Sequence, residues 1–156
     1  MINNIIKFVP NKQMQELFGV SNKLSWIRTF RGRTSVKSEV SVFFRSVCEQ
    51  GSFVVRKGYS QYIEKLADSI AYECFCNELM FYPIKRYGCI KQTVEYILFN
   101  ISKKLQKFNG RKFCVCLSID ENADRITCYF HTYSNEMLID DIEAFNQPVL
   151  YAIVQT

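Results

Sequence analysis

The sequence predicts an α+β fold in which two long amphipathic helices pack on an antiparallel sheet that includes a C-terminal hairpin. Residues 112–119 and 126–131 alternate with a period of two residues on either side of a polar turn, which is typical of an antiparallel hairpin. Residues 60–79 and 90–108 instead repeat apolar side chains at spacings of three and four, as amphipathic helices do. A sheet and two such helices bury their apolar faces against each other in two layers.

Length and composition indicate a single globular domain spanning residues 1–156. The chain is 48% hydrophobic and 22% charged, which excludes a disordered protein. It contains seven cysteines, which we interpret as buried free thiols of a reducing compartment. The apolar patch in the first ten residues is too short for a signal peptide or a membrane span, so we expect a cytoplasmic protein without a membrane partner.

The N-terminal third is predicted to begin with a short strand at residues 5–9. Asn11 is a suitable N-cap for a brief helix that Gly19 would end. Residues 35–49 have apolar side chains at helical spacing, with Gly51 as the stop, although their valines and phenylalanines leave a strand open. Residues 52–56 read as a further strand.

The middle third carries the two helices. In the first, residues 60–79, the predicted buried stripe is Ile63, Leu66, Ala67, Ile70, Ala71, Cys74 and Phe75. In the second, residues 90–108, the stripe is Ile90, Val94, Ile97, Leu98, Ile101 and Leu105. The last turns of this second helix contain three lysines, whose positive charges interact favourably with the helix dipole: Lys103, Lys104 and Lys107. Gly110 is predicted to end the helix.

The C-terminal third contains the hairpin and one more strand. Its first strand places Cys114 and Cys116 on the face opposite Phe113 and its apolar neighbours. In the second strand His131 lies opposite Phe130. Pro148 opens a third apolar run and suits the first residue of a strand, where no ladder donor is needed.

Charge is distributed unevenly along the chain, whose net charge is +5. Residues 1–60 contain ten basic and three acidic residues, whereas residues 111–156 contain three basic and seven acidic ones. If these charges segregate in space as they do in sequence, the surface has two poles that suit binding to another macromolecule. The predicted partner-binding residues are acidic at Asp140, Asp141 and Glu143, and basic at Arg28, Arg31 and Arg33.

Catalytic and metal sites are not predicted. His131 is the sole histidine, and Cys114 or Cys116 is the only nearby nucleophile type. The cysteine pairs 74/76 and 114/116 lack the spacing of zinc ligands, and the acidic group matches no magnesium cage. The chain also lacks a phosphate-binding loop, a dinucleotide-binding glycine pattern and a serine nucleophile elbow. We therefore expect no enzyme activity, no cofactor and no small-molecule substrate.

One resemblance bears on function. Phe130-His131, the acidic residues 138–143 and the Pro-Val-Leu strand of residues 148–150 resemble the ends of small bacterial immunity proteins of contact-dependent inhibition and related polymorphic toxin systems. The resemblance implies one-to-one binding of a cognate toxin domain, often a nuclease, whose active site is blocked. The chain departs from the commonest pattern of such proteins in being basic overall.

A second function stays open, namely a nucleic-acid-binding module. The basic stretch of this alternative has Trp26 and Phe30 interleaved with it, as nucleic-acid surfaces often do. Its basic residues are Arg28, Arg31, Arg33, Lys37 and Arg45. No recognised nucleic-acid motif accompanies this stretch, which makes this alternative the weaker one.

Overall fold

The computed structural model describes residues 4–18, 32–58, 69–134 and 141–156. The strands in these ranges are β1 (Ile5–Pro10), β2 (Val47–Gln50), β3 (Phe53–Arg56), β4 (Leu79–Phe81), β5 (Lys112–Ile119), β6 (Ile126–Thr132) and β7 (Val149–Gln155). The helices are α1 (Lys12–Phe18), α2 (Arg33–Phe44), α3 (Ser69–Cys76) and α4 (Ile90–Leu105). Short 3₁₀ turns occupy Ile84–Arg86 and Ile142–Ala144.

Five of these strands form one antiparallel sheet in the order β1-β7-β5-β6-β4. The predicted hairpin is confirmed as β5 and β6, and the run after Pro148 forms β7 on the other side of β5. The predicted first strand is confirmed as β1. Strands β2 and β3 form a separate two-stranded hairpin, so the described part of the chain is α+β with two sheets.

The main core lies between one face of the five-stranded sheet and helices α2 and α4. Phe113, Val115 and Leu117 of β5 are fully buried in it. Phe44 of α2 stacks on Phe130 of β6, with ring centroids 5.5 Å apart. Full burial of such side chains stabilises the fold by about 1.5–3 kcal/mol each, which makes this layer the main source of stability.

Helices α2 and α4 run in the same direction. The Arg33 Nε donates to the Tyr96 hydroxyl at 3.1 Å, while at the other end Lys107 Nζ donates to the Phe44 carbonyl at 3.2 Å. Their C-termini therefore lie together, beside the start of β5. This arrangement later decides where the basic side chains meet.

The predictions for residues 35–56 are largely confirmed. The helix alternative is correct for residues 35–44, and a strand follows it at residues 47–50. Gly51 does not end the helix: it lies in the turn between β2 and β3 with φ of 62°, a conformation that glycine adopts without strain.

The prediction of two long helices on one sheet face is only partly confirmed. The second helix matches α4, but the layer beside it is formed by α2. Residues 60–68 of the first predicted helix lie outside the described residues, and α3 ends at Cys76, because residues 79–81 extend as β4. The predicted apolar stripe is also wrong in part, since Phe75 is exposed and Glu73 is buried.

The opposite face of the sheet is apolar as well. Cys114, Cys116, Tyr151 and Ile153 are buried there, and Ile142 of the second 3₁₀ turn packs against them. The predicted alternation of the hairpin is thus confirmed on both of its faces. All seven cysteines are free, five of them buried, as the sequence predicts.

Candidate partner-binding surfaces

Asn11 joins the N-terminal strand to the segment that carries the predicted acidic residues. Its Oδ1 accepts from the backbone N–H of Met14 at 2.9 Å and of Val149 at 3.0 Å. Its Nδ2 donates to the carbonyls of Ile142 at 3.1 Å and Gln147 at 2.9 Å. The predicted N-cap is confirmed. Asn11 is fully buried, and the four bonds use both donors and both acceptor positions of its amide, so no polar group of the side chain is left without a partner.

Asp141 and Glu143 lie in this anchored segment and both make bonds within the chain. Asp141 Oδ1 accepts from the Glu143 N–H at 3.0 Å, which caps the 3₁₀ turn. The Lys12 N–H donates to the two carboxylate oxygens of Glu143 at 3.1 and 3.2 Å, at the start of α1. Both acidic side chains are exposed, so their charge still reaches solvent. The predicted Asp140 lies outside the described residues.

The turn of the β5–β6 hairpin brings further acidic residues to the same end of the sheet. The Ile119 N–H, at the end of β5, donates to the Pro148 carbonyl at 3.0 Å, which places the turn beside the start of β7. Asp120 Oδ1 accepts from the N–H groups of Asp124 and Arg125 and so fixes the turn. We define the acidic surface as Asp120, Glu121, Asp124, Asp141 and Glu143. Lys12, Lys85 and Arg125 lie at the same end.

The structure places Arg33 against Tyr96 of α4. It begins α2, its Nε bonds to the Tyr96 hydroxyl, and its guanidinium lies 5.7 Å from the centroid of the Tyr96 ring. This is the end of α2 away from Phe44 and, with twelve residues in the helix, about 18 Å from it. The predicted Arg28 and Arg31 lie outside the described residues. Of the predicted basic stretch the structure describes Arg33, Lys37 and Arg45, all three exposed.

A different set of basic side chains is brought together at the C-terminal ends of α2 and α4. We define the basic surface as Arg45, Lys57, Lys103, Lys104, Lys107 and Arg111. Lys107 Nζ donates to the carbonyls of Phe44 and Val47 at 3.2 and 3.0 Å, and Arg111 Nη1 donates to the Ser52 carbonyl at 2.8 Å. Two segments that are distant in sequence thereby form one surface. Strand β5 starts beside it and ends at the acidic surface, about 25 Å away.

The sequence contains these charges but does not indicate that they meet. The sequence assigns the lysines of α4 only to the helix dipole, it assigns Arg45 to the N-terminal basic stretch, and it gives Lys57 no role. The signal that would have found the surface is the parallel direction of α2 and α4, which depends on tertiary packing.

Two side chains, Glu73 of α3 and Asn77 immediately after α3, hold the β2–β3 hairpin against the main sheet. Glu73 Oε2 accepts from the Val54 N–H at 3.3 Å, and from the N–H and hydroxyl of Thr132 at 3.2 and 2.9 Å. Asn77, one turn later, donates to the Val54 carbonyl at 2.7 Å and to the Phe130 carbonyl at 3.2 Å. Because β4 pairs only with residues 126–128, these two side chains supply the edge of β6 with the partners that a neighbouring strand would give.

Burial raises the pKa of Glu73 above its usual range. The side chain is 4% exposed, and removal from water penalises the carboxylate. The hydrogen bonds from Thr132 and Val54 and the positive charge of Arg111 lower the pKa in part, but burial is the largest effect. The contact between α3, the β2–β3 hairpin and β6 therefore includes a carboxyl group whose negative charge is unfavourable in the folded state.

His131 and the hairpin cysteines meet on the second face of the sheet. Cys114 pairs with His131 in the β5–β6 register, and the ring Nδ1 of His131 lies 2.8 Å from the Thr132 carbonyl. Both side chains are buried. Burial raises the pKa of Cys114 to about 12 and that of Cys116 to about 11, so both thiols are protonated at neutral pH and are poor nucleophiles.

Within the described residues, histidine, cysteine and acidic side chains form no group of three that could hold a metal ion. Among the described helices, none combines the length and the hydropathy that a membrane crossing needs. Comparison of the chain with family models, with curated proteins and with solved structures finds no match.

Proposed function

We propose that this chain is a cytoplasmic immunity-type protein that binds a cognate toxin domain one-to-one and occludes its active site through the acidic surface. The observation that carries the proposal is the pairing of β5 with β7, which brings the hairpin turn and residues 141–143 to one end of the sheet. The C-terminal resemblance to immunity proteins includes Asp141 and Glu143 of this surface and the start of β7. Arg33, exposed at the start of α2, is a secondary contact in this proposal.

The chemistry of the acidic surface suits a nuclease as the toxin. A nuclease cleft is positively charged because it must hold phosphates, so a cluster of carboxylates can occupy it in place of the substrate. The carboxylates of Asp120, Asp141 and Glu143 are held by backbone N–H groups, which reduces the entropy lost when a partner binds them. Charge of this kind mainly accelerates association and limits wrong partners.

The direct test is binding of the purified chain to the purified product of the adjacent upstream gene, measured by calorimetry and by stopped-flow kinetics. We expect a one-to-one complex whose association rate falls as salt is added, and inhibition of the partner's activity in the complex. No binding to any neighbouring gene product would overturn the proposal.

The surface is tested with variants that remove charge and keep shape. Glu121→Gln with Asp141→Asn removes two charges from the acidic surface, whereas Glu49→Gln with Glu78→Gln removes two exposed charges elsewhere. The first pair should slow association about threefold to tenfold at low salt, and the second should leave it nearly unchanged. Equal effects of the two pairs would assign the binding to another surface. Charge reversal at Glu143 is avoided, because that carboxylate also bonds to the Lys12 N–H.

A further inference from the structure

We infer that the basic surface at the C-terminal ends of α2 and α4 binds the phosphate backbone of double-stranded nucleic acid. This interaction uses the opposite end of the sheet from the acidic surface and does not depend on the toxin-binding proposal. Of the N-terminal basic stretch that the sequence indicates, this surface includes Arg45 alone.

The charge of the surface is strongly one-sided. Residues 45–58 and 103–112 together contain eight basic residues and one acidic residue, Glu49. Glu49 is itself paired with Arg111, its Oε1 lying 3.4 Å from the guanidinium Nε. Burial, and to a lesser extent the neighbouring charge of Lys104, lowers the pKa of the Lys107 ammonium. A bound polyanion would relieve the repulsion between these two lysines.

Some of these cations hold the fold and others are available. Lys107 bonds to two carbonyls and Arg111 to a third, so both fix the β2–β3 hairpin against the helix ends. Arg45, Lys57 and Lys103 are exposed at the margin of the same surface. A favourable interaction with the helix dipole explains the lysines in the last turn of α4. It does not explain Lys57, which follows β3 and is not in a helix.

The aromatic rings at this end favour duplex over single-stranded nucleic acid. Phe43, Phe44 and Phe108 are buried, and the cations lie over them: Lys107 Nζ is 4.9 Å from the Phe108 ring centroid. Within the described residues 42–57 and 100–112, no aromatic side chain is exposed. Recognition of single strands relies on exposed rings that stack on bases, whereas a duplex offers mainly phosphates.

The same composition disfavours an acidic protein as the partner. Protein interfaces take most of their binding energy from a few buried apolar or aromatic side chains at their centre. At this end the one large apolar side chain that is exposed among residues 42–57 and 100–112 is Val42. A surface made almost wholly of lysine and arginine instead fits the regular charge of a phosphate backbone.

The experiment measures fluorescence anisotropy of labelled mixed-sequence duplexes of about 20 base pairs, DNA and RNA, across a salt series. The test variant combines Arg45→Gln, Lys57→Gln and Lys103→Gln, which removes three exposed charges and leaves the bonded Lys107 and Arg111 in place. The matched control combines Lys12→Gln, Lys85→Gln and Arg125→Gln, which removes three charges at the acidic end. Circular dichroism melts check that both variants fold.

We expect wild type to bind duplexes at low salt, and the test variant to bind about tenfold or more weakly, while the control changes less than about threefold. The slope of log affinity against log salt should fall by about one for each contact removed. The inference is overturned by absence of duplex binding at about 50 mM salt, by equal losses in the two variants, by preference for single strands, or by equally tight binding of polyglutamate.

Discussion

Asn11 and Glu73 both join parts of the chain that are distant in sequence, but they do so with different chemistry. Asn11 is a neutral amide with four hydrogen bonds that use its full capacity, and it positions the acidic surface. Glu73 is a carboxylate with three donors on one oxygen, and with Asn77 it positions the hairpin that carries part of the basic surface. Both side chains are buried, at 0% and 4% exposure.

The difference teaches that an equal degree of burial does not imply an equal contribution to stability. A buried neutral group whose hydrogen bonds are all formed stabilises the fold by about 1 kcal/mol for each of those bonds. A buried carboxylate must offset its lost hydration before its bonds contribute anything net. We therefore expect the acidic end to depend strongly on its anchor, and the basic end to tolerate loss of the charge but not loss of the acceptor.

The largest effect is expected at Asn11. Asn11→Ala leaves two buried N–H groups and two carbonyls without partners, which should lower the free energy of unfolding by about 3–4 kcal/mol. Urea denaturation followed by circular dichroism measures this loss. Asn11→Asp keeps the accepting oxygen but turns a second carboxylate oxygen toward the carbonyls of Ile142 and Gln147 in a fully buried site, so at pH 7 it should be at least as destabilising as the alanine variant. A loss under about 1 kcal/mol in the alanine variant would contradict the role assigned to Asn11.

The next effect separates the acceptor from the charge at Glu73. Glu73→Ala removes the partner of Val54 and Thr132 and should lower the free energy of unfolding by about 2–3 kcal/mol. Glu73→Gln keeps an oxygen acceptor of the same reach and removes the buried charge, so at pH 7 it should be at least as stable as wild type. If both variants lose the same amount, the charge itself stabilises the contact between α3, the β2–β3 hairpin and β6, and the comparison with Asn11 fails.

The pH dependence of stability gives a third test. Because the folded protein holds the pKa of Glu73 above its unfolded value, the folded state binds more protons, and stability falls as pH rises through that interval. Measured against Glu73→Gln, wild type should therefore gain stability as pH is lowered from 7 toward about 4.3. Chemical denaturation of both proteins at several pH values checks this. A wild type that loses stability relative to the glutamine variant on acidification would show that the sign is wrong.

The smallest effect is expected at Glu143. Its bonds to the Lys12 N–H are exposed to solvent, so water can replace them. Glu143→Gln should change the free energy of unfolding by only a few tenths of a kcal/mol, and Glu143→Ala by up to about 1 kcal/mol, in the same denaturation assay. A larger loss in the glutamine variant would make the charge at Glu143 a structural requirement and weaken its assignment to a binding surface.

The local signals in the sequence were reliable wherever one element determines its own structure. The hairpin of β5 and β6, the helix α4 and the N-cap at Asn11 follow from periodicity and from the chemistry of a single residue. The helix over residues 60–79 was less well predicted, because apolar spacing does not indicate that the polar side chains of Glu73 and Asn77 are buried. Their hydrogen-bond partners include backbone groups of β3 and β6. Every residue type has these backbone groups, so the sequence does not indicate where such partners lie.

The charges show the same division. The sequence indicates that acidic residues cluster near the C-terminus, and the pairing of β5 with β7 adds those of the hairpin turn to them. The basic surface, by contrast, arises only when α2 and α4 pack in parallel and Lys107 reaches the carbonyls of Phe44 and Val47.

By itself, the sequence determined the strands β1 and β7, the β5–β6 hairpin, the helix α4 and their main apolar faces, and that the chain carries both signs of charge in unequal thirds. Those properties depend on neighbours within a few residues, so they can be read from spacing. Only the tertiary structure decided which helix joins the sheet layer, where a buried carboxylate finds its donors, and which cations meet. These depend on contacts between residues 19 to 131 positions apart. The stability of the whole core selects such contacts.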